Sequence, residues 1–473
     1  MKQVNLFGTG LKANSLAVAA ENRLNCIYEV RQEPGGSKII VRGTPGSYKV
    51  YTVPVVGIRG LYVVGNILYV VAASNLYSVT VSGVVTYLGA LTTSTGQVSM
   101  SDNYIQLIIV DGTAGWILTI STGVLTQITD VNFPNGATTV TFLSGRFIAE
   151  KPLTRTYYVS NALDGTNWTT FSASVFANKE QYSDLLSAVD SFNGNLVLFG
   201  LGSIEFWQDN GTSPNPFGKV LGATQTYGLY AKFSRVIIDN TLFFLGIGLQ
   251  GGLTVFGITS YVPQRVSTSD VEDLINTLAL TTVMSDAVAM SYAVDGHDIY
   301  QITFPTANLT LIYDTSNGEW SRAQTGATTG RHYANIGAKF NTQTVFSDST
   351  TGAIYTLSPA SYSDSGATIV HQVTSKHMRN GGDEFAVTCL QLVMDTGQVP
   401  QSADYHITME VSRDGGRTFG SPRPRTVGLV GQYKTPNVKW DRLGSALDFV
   451  FRFTLTDPIP FVITDAEWET STQ

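Results

Sequence analysis

Arg146, Arg235 and Arg331 each lie near a predicted strand, in a chain that also holds 22 tyrosines and 36 acidic side chains. Cleavage of an acidic sugar would need these residue types: arginines to grip the substrate carboxylate, an acid/base carboxylate, and a tyrosine nucleophile backed by a second carboxylate. Separation along the chain does not bring the three arginines together, and solvent-facing or interfacial arginines are the plainer reading. The five histidines, His297, His332, His371, His377 and His406, show neither an HExxH pattern nor Cys/His spacing for zinc, although His371 and His377 could meet across a turn. There is no GxSxG nucleophile elbow and no GxxxxGK[ST] phosphate loop, and the GTG at Gly8 to Gly10 lacks the third glycine of a dinucleotide fingerprint. The sequence therefore offers no catalytic constellation, no cofactor motif and no metal motif.

The run SRDGGRTF, Ser412 to Phe419, carries a different kind of chemistry. Its pattern Ser-x-Asp-x-Gly-x-Thr-aromatic resembles the Asp-box of sialidase-type β-propellers, which is a hairpin and not an active site. Asp414 is placed to accept turn N–H groups, Gly415 and Gly416 to take crowded dihedrals, and Phe419 to pack beneath the hairpin, with Ser412 and Thr418 completing the turn. A partial relative is SNALDGTNWTTF at 160–171, where Ser160, Asp164, Gly165 and Trp168 repeat the polar turn and aromatic anchor with altered spacing.

Around this turn the charge is uneven. Between 413 and 442 stand Arg413, Arg417, Arg423, Arg425, Lys434, Lys439 and Arg442 against Asp414 and Asp441, so seven cations less two anions leave +5. This interface patch could meet an acidic neighbour or phosphate, or be a solvated basic face. The whole chain carries −7, which argues against nonspecific adhesion to nucleic acid over the molecule at large and leaves room for a neutral or acidic passage through which DNA slides.

The elements that must position these groups read as β structure. Hydrophobic residues make up 43% and charged residues only 14%, with 46 glycines, which excludes intrinsic disorder and suits many short strands joined by tight turns. So low a charge density fits either a surface covered by partner subunits or an uncharged Ser/Thr/Asn/Gly surface facing solvent. Cys26 and Cys389 are too few for a disulfide framework; two structural thiols in a protein made in reducing cytosol are preferred over one long-range disulfide. The N-terminus lacks the apolar core of a signal peptide, and no segment is apolar for the length of a membrane span.

Strand–turn–strand units begin at GLYVVGNILYVVAASNLYSVTVSG, 60–83, and recur at Asn103, Gly145, Gly194, Asn240, His297 and Thr342. Counted from Asn66, their spacing of about 37 to 57 residues is that of propeller blades. Each small sheet has apolar faces it cannot bury alone, and radial packing covers them. The expected architecture is all-β: a six- or seven-bladed β-propeller-like domain over 51–358, preceded by an N-terminal extension and first-strand region at 1–50. A connector at 359–385 leads to a C-terminal β-sandwich-like domain at 386–473. A helical insert is expected within 267–290, capped by Ser269, with Glu272 three residues on and an apolar stripe of Leu274, Ile275 and Leu278.

This order of domains, with the segments AENRLNCIYEV, GGSKIIVRGTPGSY, SAVDSFNGNLVLFGLGSIEFWQDNG, SYAVDGHDIYQITFP, LIYDTSNGEWSR and KWDRLGSALDFVFRFTLTDPIPFVITDAEWE, resembles the packaged-DNA stabilisation and tail-hub family of short-tailed bacteriophages. The resemblance spans nearly the whole chain. It implies a noncatalytic virion component of the phage tail, made in the host cytoplasm, that joins the portal or its adaptor to the distal tail. The expected assembly is a homo-oligomeric ring, commonly a hexamer, lying close to DNA without reading its sequence and with no membrane span. By similarity Trp207 anchors a propeller strand, Trp320 closes another blade and Trp440 packs at the strand entry of the terminal domain. Tyr104, Trp116 and Tyr230 are candidates for either interface anchors or core. The alternative is a propeller glycosidase, or a carbohydrate-binding virion protein.

Overall fold

The computed structural model describes residues 1–8, 10–11, 20–33, 36–170, 173–174, 176–179, 182–213, 215–248, 250–327, 330–400, 403–432 and 438–472. Runs rich in β-branched and aromatic residues, such as Ile67–Ala72 (ILYVVA) and Gln106–Val110 (QLIIV), form the strands. Antiparallel pairing with a turn of two or three residues then joins neighbours, as between Ile58–Val64 and Ile67–Ala72.

Seven such sheets among the described residues make a propeller. The first blade runs Ile58–Val64, Ile67–Ala72, Asn75–Thr80, Val85–Ala90, and the second Ser99–Asp102, Gln106–Val110, Gly115–Thr119, Val124–Gln127. The third to sixth blades begin at Val140–Leu143, Leu186–Phe192, the split pair Gly228–Leu229 and Val236–Ile238, and Val288–Val294. The seventh takes Ala334–Phe340, Gln343–Asp348 and Ala353–Ser358 from one end of the propeller and its outer strand, Gly46–Thr52, from the other. Ala353 pairs with Thr52 and Ser358 with Gly46, so the ladder itself ties the circle shut.

Apolar clusters fill the spaces between blades. Ile108, Val110 and Ile117 of the second blade meet Val140, Phe147 and Ala149 of the third around Trp168, which is fully buried and edge-on to Phe133 at 5.1 Å. Burying each such aliphatic side chain stabilises by about 1.5–3 kcal/mol before chain entropy is charged against it.

The sandwich is built from both ends of the chain. One sheet runs in the order Cys26–Glu33, Gly36–Gly43, Val462–Thr472, Phe385–Met394, Val438–Ala446, with Lys2–Gln3 added on Val462–Thr472. The other contains Asn22–Leu24, His371–Thr374, Asp448–Leu455, His406–Ser412 and Arg423–Thr426. Leu24 pairs in parallel with Arg322 of the sixth blade, so propeller and sandwich share one ten-stranded sheet. Cys26, Tyr28 and Val41 sit in the same core as Trp440, Phe451 and Phe453.

The expected divisions are thus redrawn in detail. Residues 1–50 are not a free extension, since their strands complete the sandwich and begin the closure of the propeller; an exposed edge needs backbone partners, and these strands provide them. The expected connector contributes His371–Thr374 and Met378–Arg379, both paired with Asp448–Leu455. The helix covers Ser269–Ala279, with Val271 and Ile275 buried; Thr268, not Ser269, holds the cap position. Glu272 instead binds Arg265 and the Ser267 hydroxyl, and Val288 already begins the next blade. Both cysteines are buried free thiols, and burial pushes the Cys26 thiol up. No helix among the described residues is long and apolar enough to cross a membrane.

Candidate functional site

The Ser412 turn leaves the strand His406–Ser412 at one end of the sandwich. The Ser412 hydroxyl donates to Asp414 Oδ1 at 2.6 Å and accepts from the Gly416 N–H at 2.8 Å. Asp414 also accepts the N–H groups of Arg417 at 3.0 Å and Thr418 at 2.9 Å, and the Thr418 hydroxyl at 2.6 Å. These donors, Ser412 first and then Thr418, hold the Asp414 carboxyl well below the usual carboxylate range. Gly415 and Gly416 have φ of +69° and +85°, and a Cβ on Gly416 would lie 2.9 Å from that of Ala20. The Phe419 ring lies under the Arg452 guanidinium at 4.0 Å, while Arg452 forks onto Glu410.

The turn at 160–168 uses the same parts in the third blade. Asp164 accepts from the N–H and hydroxyl of Thr166, the Ser160 hydroxyl accepts from the Phe147 N–H, and Trp168 donates to the Gly165 carbonyl at 2.9 Å. The Ser412 and Ser160 hydroxyls and the Asp414 and Asp164 carboxylates are thus engaged in holding these two turns.

The basic segment lies where the edge strands of the two sheets meet. Arg413 donates through Nε and Nη2 to the Leu443 carbonyl at 3.0 and 2.7 Å, and Arg425 Nε donates to the Lys439 carbonyl at 2.7 Å. Trp440 adds a third tie, to the Arg423 carbonyl at 2.8 Å. Arg417 donates to the Asp414 carbonyl, Lys439 pairs with Asp441 at 3.4 Å, and Arg442 is exposed at φ +59°. Lys434 lies outside the described residues.

The arginines of the glycosidase reading engage separate blades. Arg146 donates to the Ser160 carbonyl, Arg235 to the Val189 carbonyl and the Asp190 carboxylate, and Arg331 to Asn335 and Ser349. The histidines are likewise dispersed. His371 binds the Asn25 carbonyl and stacks on Phe461, whereas His377 binds Asp448; His297 pairs with Asp314 at 2.6 Å. No group of three potential metal ligands occurs among the described residues.

The tryptophans serve as anchors: Trp207 lies edge-on to Tyr157, Trp320 donates to the Val266 carbonyl, and Trp440 is fully buried. Trp116 and Tyr230 pack against core clusters, while Tyr104 is exposed at φ +65°. Sequence reasoning missed the polar node at the closure, where Ser47 donates to Asp364 at 2.9 Å and contacts the Tyr333 hydroxyl. No local motif marks it, because its members come from three distant segments.

A closed propeller thus shares one sheet with a sandwich, and its Ser412 and Ser160 turns hold strands together. Two family models account for both halves: residues 7–362 match the family described as bacteriophage P22 Gp10, beta-propeller, and residues 370–471 match bacteriophage P22 Gp10, beta-sandwich. The chain belongs to the bacteriophage P22 Gp10 family, structural phage proteins that stabilise packaged DNA.

No curated protein matches the chain. Similar solved structures include PorZ, a surface component of the type-IX secretion system of Porphyromonas gingivalis, at 12% identity and TM-score 0.39, covering 71% of this chain and 40% of that one. The N-terminal domain of Nup159 is 7% identical with TM-score 0.41, covering 72% of this chain and 99% of that one. A chain of the mitotic checkpoint complex is 13% identical with TM-score 0.44, covering 67% and 92%.

Proposed function

We propose that this chain joins the phage portal or its adaptor to the distal tail, as one subunit of a ring, commonly a hexamer, that closes around packaged DNA and holds it until ejection. Family membership supplies the virion setting. The observation that carries the joining role is an exposed apolar rim at one end of the propeller. Val131, Leu153, Leu221 and Leu280 are 92, 84, 91 and 84% exposed. All four lie in loops that the antiparallel blades place at the same end: between outer and next inner strands, or between second and third strands. Large apolar side chains exposed at one end favour protein contacts, and identical contacts repeated around a ring give long-lived closure from modest single affinities.

The shared ten-stranded sheet suits this role, since it couples the rim to the sandwich without a flexible linker. The net charge of −7 fits a conduit that does not trap DNA over its whole length. Phage particles assembled without this chain are expected to package DNA and then lose it, read as nuclease-sensitive genome in purified particles. Particles that lack the chain yet keep a protected genome would contradict the proposal.

A further inference from the structure

The arginines along the sandwich edge differ from several other exposed arginines of this protein. Arg31, Arg265 and Arg379 are exposed and each reaches a carboxylate, on Glu29 at 2.8 Å, Glu272 at 2.6 Å and Asp448 at 2.8 Å. Along the edge of the sandwich, Arg413, Arg417, Arg425 and Arg442 are exposed and Arg423 half-buried, yet none reaches a carboxylate among the described residues. Three of the five are instead fixed by neutral carbonyls: Arg413 on Leu443, Arg425 on Lys439 and Pro424, Arg417 on Asp414. A carbonyl orients a guanidinium without cancelling its charge, and the fork retains N–H donors for an oxyanion. The Asp414 carboxylate is occupied by its own turn, Asp441 pairs with Lys439, and Asp448 with His377 and Arg379.

We propose that this edge binds the phosphate backbone of double-stranded DNA without reading sequence, an inference that rests on the chain lying beside packaged DNA. Arg423 and Arg425 are two apart on one strand and so face the same side; Arg413, just past the paired strand His406–Ser412, reaches across to the Leu443 carbonyl of the other sheet, next to Arg442 on that strand. The result is a cationic strip, with three of its guanidiniums oriented by carbonyls, in a molecule whose remaining residues carry −7 less +5, or −12. Such a strip confines adhesion to one place. Phosphate contacts are sequence-independent and salt-labile, so they retain DNA yet allow it to slide. The plainer role of charges and Pro424 on an edge strand is to block strand-to-strand aggregation. That role does not require guanidinium groups held in place by carbonyls from the opposite sheet.

The test is fluorescence anisotropy of the full chain with labelled duplexes of about 30 base pairs, in two unrelated sequences, over a salt series. Each phosphate contact contributes roughly 0.9 to the slope of log affinity on log salt. The double variant Arg417→Gln/Arg425→Gln is expected to lower that slope by about 2 and to weaken binding by tens of fold at 100 mM salt, equally for both sequences. The control Lys151→Gln/Arg155→Gln, two exposed cations of the propeller, should leave both unchanged. Equal loss in the two double variants, an unchanged slope, or absence of binding at low salt would overturn the proposal. So would displacement of the duplex by poly-L-glutamate at equal charge, which would indicate an acidic protein partner, or aggregation of the edge variant with unaltered DNA affinity, which would indicate an edge guard. None of these outcomes bears on whether particles need the chain to keep their genome.

Discussion

The Asp414 carboxylate illustrates how residue types of enzymes serve as structure. It receives donors from Ser412, Arg417 and Thr418, all within its own turn. Asp414→Asn keeps the shape and removes an acceptor and the charge; we expect a loss of about 1–2 kcal/mol, read as a lower urea midpoint. The depressed carboxyl also sets a sign with pH. Its stabilisation is present above the unfolded value near 3.8 and fades as pH falls through the lower folded value, so the Asn variant should lose its deficit in acid. His371 acts over a different window. Burial lowers its pKa, so the unfolded chain takes up a proton first and stability drops as pH falls below about 6.5. His371→Gln should flatten that part of a stability–pH profile measured by urea unfolding; an unchanged slope would contradict the assignment. The Asp414 turn was legible because all its members lie within eight residues, whereas the node of Ser47, Tyr333 and Asp364 was not, because only folding brings them together.

At the scale of elements, closure depends on the strand Gly46–Thr52, whose Gly46 passes tightly under the chain at Ser361 and Ser363. A Cβ at Gly46 would lie 2.5 Å from the Ser363 carbonyl oxygen and 2.7 Å from that of Ser361. Backbone cannot give way as a side chain can, so Gly46→Ala is expected to cost about 1–3 kcal/mol and to open the seventh blade first. Hydrogen exchange should show faster exchange in Gly46–Thr52 and Ala353–Ser358 than in the third blade; uniform acceleration would contradict a closure-specific effect. The repeated strand–turn–strand units made the propeller legible, because a blade is encoded locally by alternation and Gly-Asn turns. Assignment of the N-terminal strands was not legible, since GSYKVYT and CIYEV say that they are strands and nothing about their partners. The helix was visible through its expected stripe of Leu274, Ile275 and Leu278, although Val271 and Ile275 are the side chains it buries fully, and the rest of 267–290 is loop and the start of the next blade.

For the whole molecule, the decisive features are the apolar rim, the basic sandwich edge and the sheet that links their domains. None is a motif. The rim was invisible in sequence because Val131, Leu153, Leu221 and Leu280 look like ordinary core residues until the blades place them outside. Replacing two of them, as Leu221→Ser/Leu280→Ser, should leave the fold intact and reduce incorporation of the chain into particles, read by quantitative immunoblot of purified virions; unchanged incorporation would remove the rim from the account. The central claim is that the chain forms a ring joining the portal to the distal tail. Electron microscopy of virions labelled with an antibody against this chain, with its copies counted around the tail axis, tests it most directly. The account predicts a symmetric band between portal and tail tip, with six copies; label confined to the outermost fibres, or its absence from virions, would contradict it.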